Sequence, residues 1–370
     1  MSITTAPFPA AVIIPALNPP AGLPSYVQEL INYGARCIII VNDGSTSAYQ
    51  DLFAQLSALE YCTVLHHARN LGKGQALKTA FLCYMQNYSH CFQGVIMADA
   101  DGQHMPEDIC RIAALLDDTQ EEILLGCRDF NLPTVPRRSR IGNRLTSTVF
   151  RILYGSQLND TQTGLRGLSN QQLSWICKLP GSRFEFEINM LIESRKRGVT
   201  FHQIPISTVY FDNNANSNYH TIRDSWPIML ALLSGLFEYL LSAAASGVID
   251  LGLFLLLNAL LPTWLQTGLR LAIALCSARI ASSLLNYTLN RKLVFGANRR
   301  KRSSVGRYYI LWGCQLSLAW VFVYLGEMTI PIHVGWIKIM VDLLLALLSY
   351  QIQLHWVFAH PEATEKQAVS

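Results

Sequence analysis

The last third of this chain is dominated by long apolar segments, which constrain its fold more than any other feature. Four segments approach the ~20 apolar residues that a helix needs to cross a bilayer, at 237–260, 267–290, 308–327 and 333–357. Composition agrees, because 51% of all residues are hydrophobic and only 15% are charged, against about 25% charged in soluble domains. We therefore predict an all-α four-helix transmembrane domain in this part of the chain.

Charged residues predict the orientation of these segments. The loops at 261–266 and 328–332 carry no lysine or arginine. The loop after the second segment is basic, with Arg291, Lys292, Arg299, Arg300, Lys301, Arg302 and Arg307. Because basic loops stay in the cytoplasm, we predict a multi-pass inner (cytoplasmic) membrane protein whose first half and both termini are cytoplasmic. The flanking spans disfavour nucleic acid as a partner of the basic loop.

A weak repeat runs through the apolar half. The segment NYTLNRKLVF at 286–295 resembles SYQIQLHWVF at 349–358, with an offset of 357 − 294 = 63 residues. This spacing is typical of two helix hairpins that share one orientation. Before the first span, the segment 222–236 is predicted to be an amphipathic linker helix in the membrane interface, or simply the beginning of that span.

The first half alternates short β-rich runs with helical patterns, which is typical of a parallel α/β sheet. Helices are predicted at 23–33 and 74–87. Strands are predicted at 11–14, 37–41, 63–66, 94–98 and 123–126. Ligands of open α/β sheets bind at the carboxyl ends of the strands, so the polar residues that follow these strands are candidate site residues.

The fourth predicted strand ends in the sequence ADADGQH at 98–104. Because side chains alternate along a strand, Asp99 and Asp101 are expected to point the same way. Two converging carboxylates suit Mg²⁺ or Mn²⁺, and a metal at this position can carry a diphosphate. An acidic, solvated turn is the alternative interpretation of the same residues.

Two further segments carry candidate ligand-binding residues. The second predicted strand leads into Asp43, which is placed either to accept hydrogen bonds from a base or ribose or to cap the following turn. The segment RNLGKG at 69–74 is predicted to begin a helix. The N-terminus of that helix and Lys73 favour anions, although the spacing is not that of a Walker A loop.

Six segments in this order resemble family 2 glycosyltransferases: PALN, VNDGS, RNLGKG, DADGQH, GCR and DTQTGLRG. More narrowly, residues 9–225 resemble the polyprenyl-phosphate hexose synthases, such as dolichol-phosphate mannose synthase. The apolar half resembles the GtrA-like membrane domain through the pattern N-x-x-x-N-R-x-x-V-F at 286–295. The resemblance implies an α/β GT-A (Rossmann-like) catalytic domain at 1–221, the linker at 222–236, the four-helix domain at 237–360 and a tail at 361–370.

The resemblance also implies an inverting transfer of a hexose from UDP-glucose, UDP-N-acetylglucosamine or GDP-mannose to a polyprenyl phosphate, with undecaprenyl phosphate expected. Its motifs assign Mg²⁺ or Mn²⁺ to Asp99, Asp101 and Gln103. The nucleotide sugar is assigned to Pro15, Ala16, Asn18, Asp43, Lys73, Asp99, Ala100 and Asp101. The acceptor phosphate is assigned to Arg128, Arg138, Arg140 and Arg166. The catalytic residues are Asp101, Asp160, Arg128 and Arg140.

Three residues depart from the family pattern. Pro19 and Asn42 stand where acidic residues are common, and Cys127 stands where serine is usual before the arginine. The first two are expected near the nucleotide, so the base and the sugar stay open. None of the three belongs to the predicted metal site.

Several alternatives stay open. The basic run at 137–140 also fits a patch that faces lipid headgroups, and Asp160 also fits a turn or a helix cap. Asp250, Arg279 and Asp342 fall inside predicted spans, where they either pair structurally or line a path for a glycolipid headgroup. The alternative functions are a glycolipid flippase with an accessory transferase half and a processive polysaccharide synthase, whose Q-x-x-R-W motif this sequence lacks. Self-association through the membrane half is also left open.

Overall fold

The computed structural model describes residues 8–116, 121–132, 135–207, 221–262, 266–295, 302–329 and 334–358. The chain divides into two compact units. One comprises Met1–Arg151 with Ser156–Leu232, and the other comprises Ile152–Gly155 with Leu233–Ser370.

The first unit is an α/β fold, as predicted. The strands are β1 Ala10–Ala16, β2 Ile38–Asn42, β3 Cys62–His66, β4 Gly94–Met97, β5 Glu122–Arg128, β6 Arg166–Ser169 and β7 Thr200–Ile206. The helices are α1 Leu23–Asn32, α2 Gln50–Ser57, α3 Lys73–Asn87, α4 Pro106–Leu115, α5 Arg137–Tyr154, α6 Asn170–Ile176 and α7 Glu185–Arg197, with a 3-10 turn at Ser47–Tyr49. All five predicted strands and both predicted helices are present, whereas β6 and β7 were not predicted.

The seven strands form one sheet in the order β3-β2-β1-β4-β6-β5-β7. β1, β2, β3 and β4 pair in parallel, as do β5 and β7. β6 runs antiparallel to both of its neighbours, β4 and β5. The sheet is therefore mixed rather than purely parallel, because β6 enters it between two strands that run the opposite way.

Pro15 lies inside β1, which continues to Ala16, whereas the predicted strand ends at residue 14, just before this proline. The N–H of Val12 donates to Cys37 O, and Ala16 O accepts from the N–H of Asp43. The backbone N–H and C=O groups of even-numbered residues in β1 therefore point towards β2, and the backbone of Pro15 points towards β4. Because β4 ends at Met97, opposite Ile13, the missing N–H of the proline leaves no ladder bond unmade.

Four long helices follow: α8 Thr221–Leu260, α9 Thr267–Leu289, α10 Arg302–Thr329 and α11 Val334–Ile352. Each coincides with one predicted span. Among the described residues, one helix, Asp224–Leu260, is long and apolar enough to cross a membrane, and Leu343–Val357 is a shorter apolar helix. The count of four spans stays a prediction. Because α8 is continuous, the segment 222–236 is helical and has no break before the first predicted span.

The sequence repeat reappears in the second unit as a repeat of backbone structure. Two π-helical turns, Asn290–Val294 and Gln353–Val357, lie at the same offset in the chain. The turns contact each other, since Asn290 Nδ2 donates to Gln353 Oε1 at 3.1 Å and both side chains are buried. The rings of Phe295 and Phe358, which follow the turns, stack at 5.1 Å between centroids. The two similar segments therefore pack together.

Candidate active site

The carboxyl ends of β1, β2 and β4 lie at one edge of the sheet, because these strands are parallel neighbours. Ala16 is paired in register with Asn42 at this edge. Most of the residues predicted to bind the nucleotide sugar follow these strand ends. Ala16 itself is buried, whereas Pro15 and Ala100 are half-buried and Asn18 is exposed.

Asp43, for which the motif suggests a direct nucleotide contact, supports a neighbouring loop in the structure. Its carboxylate accepts the N–H of Leu71 at 2.9 Å and that of Gly72 at 2.8 Å. His67 Nδ1 lies 2.7 Å from the same carboxylate, and Asp43 is only 3% exposed. The side chain therefore supports the loop that leads into α3, which makes it a positioning residue for Lys73.

Asparagine side chains organise the turns that follow β1 and β2. Asn42 Oδ1 accepts the N–H of Ser45 and so caps the turn for which Asp43 was the sequence candidate. Asn18 has a left-handed backbone, with φ of 45°. Its N–H donates to Ser45 Oγ, and its Oδ1 accepts the N–H of Thr46. Asn18 thus joins the two turns at the predicted nucleotide edge.

Lys73 lies between two carboxylates. Its Nζ is 2.7 Å from Asp99 Oδ1 and 3.1 Å from Glu187 Oε1. Burial alone would lower the pKa of Lys73, but the negative charges of Asp99 and Glu187 outweigh burial and raise it. The lysine is therefore a fixed cation whose charge is partly neutralised before any ligand arrives.

The pKa values of the two aspartates in the ADADGQH segment are shifted in opposite directions. Burial favours protonation of Asp99, but Lys73 and His104 outweigh it and hold the pKa of this carboxyl well below its usual range. His104 Nε2 is 3.3 Å from Asp99 Oδ2. Burial, followed by the nearby charge of Asp99, raises the pKa of Asp101. The two carboxylates are thus close enough to repel each other, which favours a cation between them.

The donor set fits a hard divalent cation. Asp99 is 31% exposed at its side chain and stays ionised, so it is accessible to a ligand. The N–H of Gln103 donates to Asp101 Oδ1, which brings the third predicted ligand next to the second. In the described part of the chain, no group of three or more His, Cys, Asp or Glu residues forms a metal site. A metal here would therefore depend on two carboxylates, an amide oxygen and its substrate.

Arg128 and Asp160 form a bidentate ion pair. Arg128 Nε donates to Asp160 Oδ2 at 2.7 Å, and Nη2 donates to Oδ1 at 3.1 Å. Asp160 is fully buried and also accepts the N–H of Gln162, whereas the Arg128 side chain is 18% exposed. Asp160 therefore orients Arg128 and has no exposed oxygen for substrate, which favours a positioning role over a catalytic one.

The basic helix α5 supplies two of the predicted phosphate ligands. Arg140 Nη2 donates to Leu132 O at 2.9 Å. Its Nε is buried and has no hydrogen-bond partner among the described residues. An N–H in this state is an available donor for an anion. The side chain of Arg138 lies outside the described residues.

Arg166, a predicted ligand of the acceptor phosphate, lies in the interior of the first unit, and its Nη2 has no hydrogen-bond partner among the described residues. It is fully buried, with Nε donating to Thr163 O and Nη1 donating to Glu187 O. Burial lowers its pKa. The reason lies in the sheet topology, because Arg166 begins β6, an internal strand that the sequence pattern did not predict. Its side chain therefore ties the sheet to α7.

Sequence reasoning missed three residues of this site. Glu187 lies in the first turn of α7 and contacts Lys73, and the only signal was the pair of glutamates that begins this helix. His104 belongs to a quoted motif but was given no role. A Cβ atom on Gly164 would lie 2.3 Å from Asp99 Oδ2, so the glycine makes space for this carboxylate.

Similarity to known proteins covers both halves of the chain. A polyprenol monophosphomannose synthase of Mycolicibacterium smegmatis is 26% identical over 53% of this chain and 76% of its own. A UDP-N-acetylglucosamine–dolichyl-phosphate N-acetylglucosaminyltransferase of Methanococcus voltae is 27% identical over 54% of this chain and 85% of its own. The glycosyltransferase AglJ of Haloferax volcanii is 25% identical over 61% of this chain and 72% of its own.

Two family matches follow one another along the sequence. Residues 11–169, which contain the strands β1 to β6 and the carboxylate pair, match glycosyl transferase family 2. Residues 226–358, which contain most of α8 and the helices that follow, match the GtrA/DPMS transmembrane domain. The chain is thus a membrane protein that joins a glycosyl transferase family 2 domain to a GtrA/DPMS transmembrane domain.

Proposed function

We propose that this protein is an inverting glycosyltransferase that moves a hexose from a nucleotide-diphosphate sugar to a polyprenyl phosphate. The observation that carries the proposal is the Asp99–Asp101 carboxylate pair after β4, in which Lys73 and His104 contact Asp99 and the N–H of Gln103 contacts Asp101. The names of the relatives from M. smegmatis and M. voltae support a polyprenyl-phosphate acceptor. UDP-glucose, UDP-N-acetylglucosamine and GDP-mannose are the donors that we propose to test, with undecaprenyl phosphate as the acceptor.

The acceptor is itself a sufficient nucleophile. A phosphate monoester has a second pKa near ~6, so it is largely a dianion at neutral pH. One of its oxygens attacks C1 of the donor sugar, and the bond from C1 to the diphosphate oxygen breaks with its electron pair on the leaving nucleoside diphosphate. Inversion at C1 follows from this single displacement, and no general base is required.

The protein must instead bring two anions together. Arg128, oriented by Asp160, presents a planar guanidinium that grips phosphate oxygens in a way that lysine does not. Arg140 supplies a buried N–H without a partner among the described residues. Such preorganised donors contribute on the order of 3 kcal/mol each to lowering a reaction barrier.

Asp99 and Asp101, with the amide of Gln103, would hold Mg²⁺ or Mn²⁺, and the bound ion would supply positive charge for the leaving diphosphate. Lys73 and His104 keep Asp99 ionised, so this carboxylate is ready to bind a cation without first losing a proton. Glu187 also contacts the ammonium group of Lys73, which weakens the electrostatic attraction between this lysine and Asp99.

The arrangement in the membrane is part of the proposal. We propose a catalytic domain at 1–221, a linker at 222–236, a domain of four membrane spans at 237–360 and a tail at 361–370. The catalytic domain and both termini would lie in the cytoplasm. The basic loop after the second span supports this orientation. We also propose that the protein self-associates through its helical region, which a measurement of the molecular mass of the protein in detergent would test.

A lipid-transfer assay tests the proposal. Membranes with the full-length protein are incubated with each radiolabelled nucleotide sugar, with or without EDTA, and label is followed into an acid-labile lipid that organic solvent extracts. We expect one donor to label the lipid and EDTA to abolish the labelling. Asp101→Asn should remove nearly all activity, whereas the same change at exposed Asp51 on α2 should not. Activity of the Asp101 variant near that of the wild type would contradict the metal role.

A further inference from the structure

A polar cavity of about 140 Å³ lies among α8, α9 and α10. This volume is roughly ten times the minimum that a single water molecule requires on the same measure. The lining combines charged, hydroxyl, amide and aromatic side chains, among them Asp250, Arg279, Ser282, Ser283, Asn286 and Trp312. All of them belong to the second unit, in which most outward-facing side chains are apolar.

Arg279 of the charged pair in this cavity lies near the middle of α9, and Asp250 lies near the middle of the predicted span 237–260 within α8. Asp250 precedes the end of α8 by about 15 Å and Arg279 precedes the end of α9 by about 15 Å, at 1.5 Å per residue. Ionisable side chains at such depth are costly and usually serve a polar path or a ligand. Arg279 Nη1 lies 3.5 Å from Asp250 Oδ2, and the arginine is 54% exposed. The pair is therefore loose and open, unlike a closed structural ion pair.

Hydroxyl and amide groups extend from this pair in one direction. Ser282 Oγ donates to Asp250 Oδ1 at 2.9 Å. Ser283 and Asn286 lie one and two turns further along α9, towards the basic loop that begins after residue 290. Ser246 lies one turn from Asp250 along α8, in the same direction because α8 and α9 are consecutive helices of a hairpin. The polar lining thus runs from mid-helix towards the side that we predict to be cytoplasmic.

The chemistry of the lining selects the ligand class. One cation and one anion cancel, so neither a bare phosphate nor a metal ion is favoured. The mixture of donors and acceptors suits a neutral polyol, and the aromatic residues Trp312 and Tyr308 in the lining suit the apolar side of a sugar ring. We infer that this cavity binds the sugar headgroup of a glycolipid within the membrane. The inference rests on the proposed function for the source of that glycolipid.

A photolabelling experiment tests the inference with a probe that has no phosphate and therefore does not depend on the transferase site. Full-length protein in lipid nanodiscs is irradiated with an octyl glucoside that carries a diazirine on the sugar, and labelled peptides are mapped by mass spectrometry. We expect labels on the α8, α9 and α10 segments that line the cavity. Excess octyl glucoside should remove them, whereas octanol should not.

Variants of α9 distinguish labelling within the cavity from labelling on the exposed surface of the helix. Ser283→Leu replaces a hydroxyl that lines the cavity with a larger apolar side chain, and the loss of one hydrogen bond to the sugar should reduce labelling about tenfold. Ser277→Leu makes the same change at an exposed position on this helix and should leave labelling unchanged. If Ser283→Leu does not fold, Arg279→Gln provides the second test, with a similar loss expected.

The outcomes distinguish this inference from the proposed function. Labelling that octanol removes as well as octyl glucoside, or that survives both cavity variants, would refute the sugar site. The same nanodiscs are assayed for sugar transfer to lipid. Transfer without sugar-dependent labelling would refute the cavity inference alone, whereas labelling without transfer from any nucleotide sugar would refute the proposed function alone.

Discussion

The pair formed by Arg128 and Asp160 allows a quantitative test of which partner acts on substrate. Asp160→Ala removes a fully buried carboxylate that accepts two hydrogen bonds from the Arg128 side chain and one from the N–H of Gln162. Removing one partner of a buried pair costs about 3–5 kcal/mol. Because the arginine side chain is 18% exposed, water compensates part of this loss, and we expect a value of about 3 kcal/mol.

The expected loss is large enough to measure in detergent. For a domain of this size, about 3 kcal/mol corresponds to a fall of about 6–12 °C in the unfolding midpoint. Thermal unfolding of purified full-length protein is followed by tryptophan fluorescence at one scan rate. Asp51→Ala, on the exposed surface of α2, is the matched control. The double variant Asp160→Ala/Arg128→Met should lose less than the sum of the single losses, with a coupling of about 2 kcal/mol.

The activity of the variants in sugar transfer to lipid then shows whether Arg128 or Asp160 contacts the substrate. Arg128→Lys keeps the charge but loses the planar guanidinium, so transfer to lipid should fall at least about tenfold, while the unfolding midpoint should fall less than in Asp160→Ala because a cation still faces Asp160. If Asp160→Ala unfolds at the temperature of the wild type yet loses all transfer activity, our reasoning is wrong. That result would make Asp160 a catalytic residue that contacts substrate, and not the residue that positions Arg128.

Two further predictions concern the surroundings of Gly164 and Cys127. Gly164→Ala should abolish lipid labelling while the protein still folds, because the new Cβ would lie 2.3 Å from the carboxylate of Asp99. Gly22→Ala is its control, since no atom of the described residues, apart from its own neighbours in the chain, lies within 4 Å of a Cβ at that position, and the two variants should differ clearly in the transfer assay. Burial raises the pKa of the Cys127 thiol to about 12, so mass spectrometry should find it unmodified by iodoacetamide at pH 8. Rapid alkylation of Cys127 in folded protein, at the rate of exposed Cys91, would show that the strand end is open.

Much of the fold was predictable because it depends on local periodicity. Runs of apolar residues at the spacing of buried strands predicted β1 to β5, and the glycine-rich segment before Lys73 predicted the beginning of α3. The 63-residue offset also predicted two equivalent segments, which the structure shows as paired π-helical turns. By contrast, β6 is only four residues long, too short for a periodic pattern, and its antiparallel pairing depends on strands that are distant in sequence.

The sequence by itself identified the carboxylate pair and the arginines as candidate site residues, through the order of motifs along the chain. Only the tertiary structure decided what each group contacts. Arg166 is buried because β6 lies inside the sheet, Asp43 supports a loop because Leu71 and Gly72 turn towards it, and Glu187 reaches Lys73 from a helix more than a hundred residues away. These contacts join segments remote in the chain, and their distances depend on how the sheet and helices pack, which residue spacing does not encode.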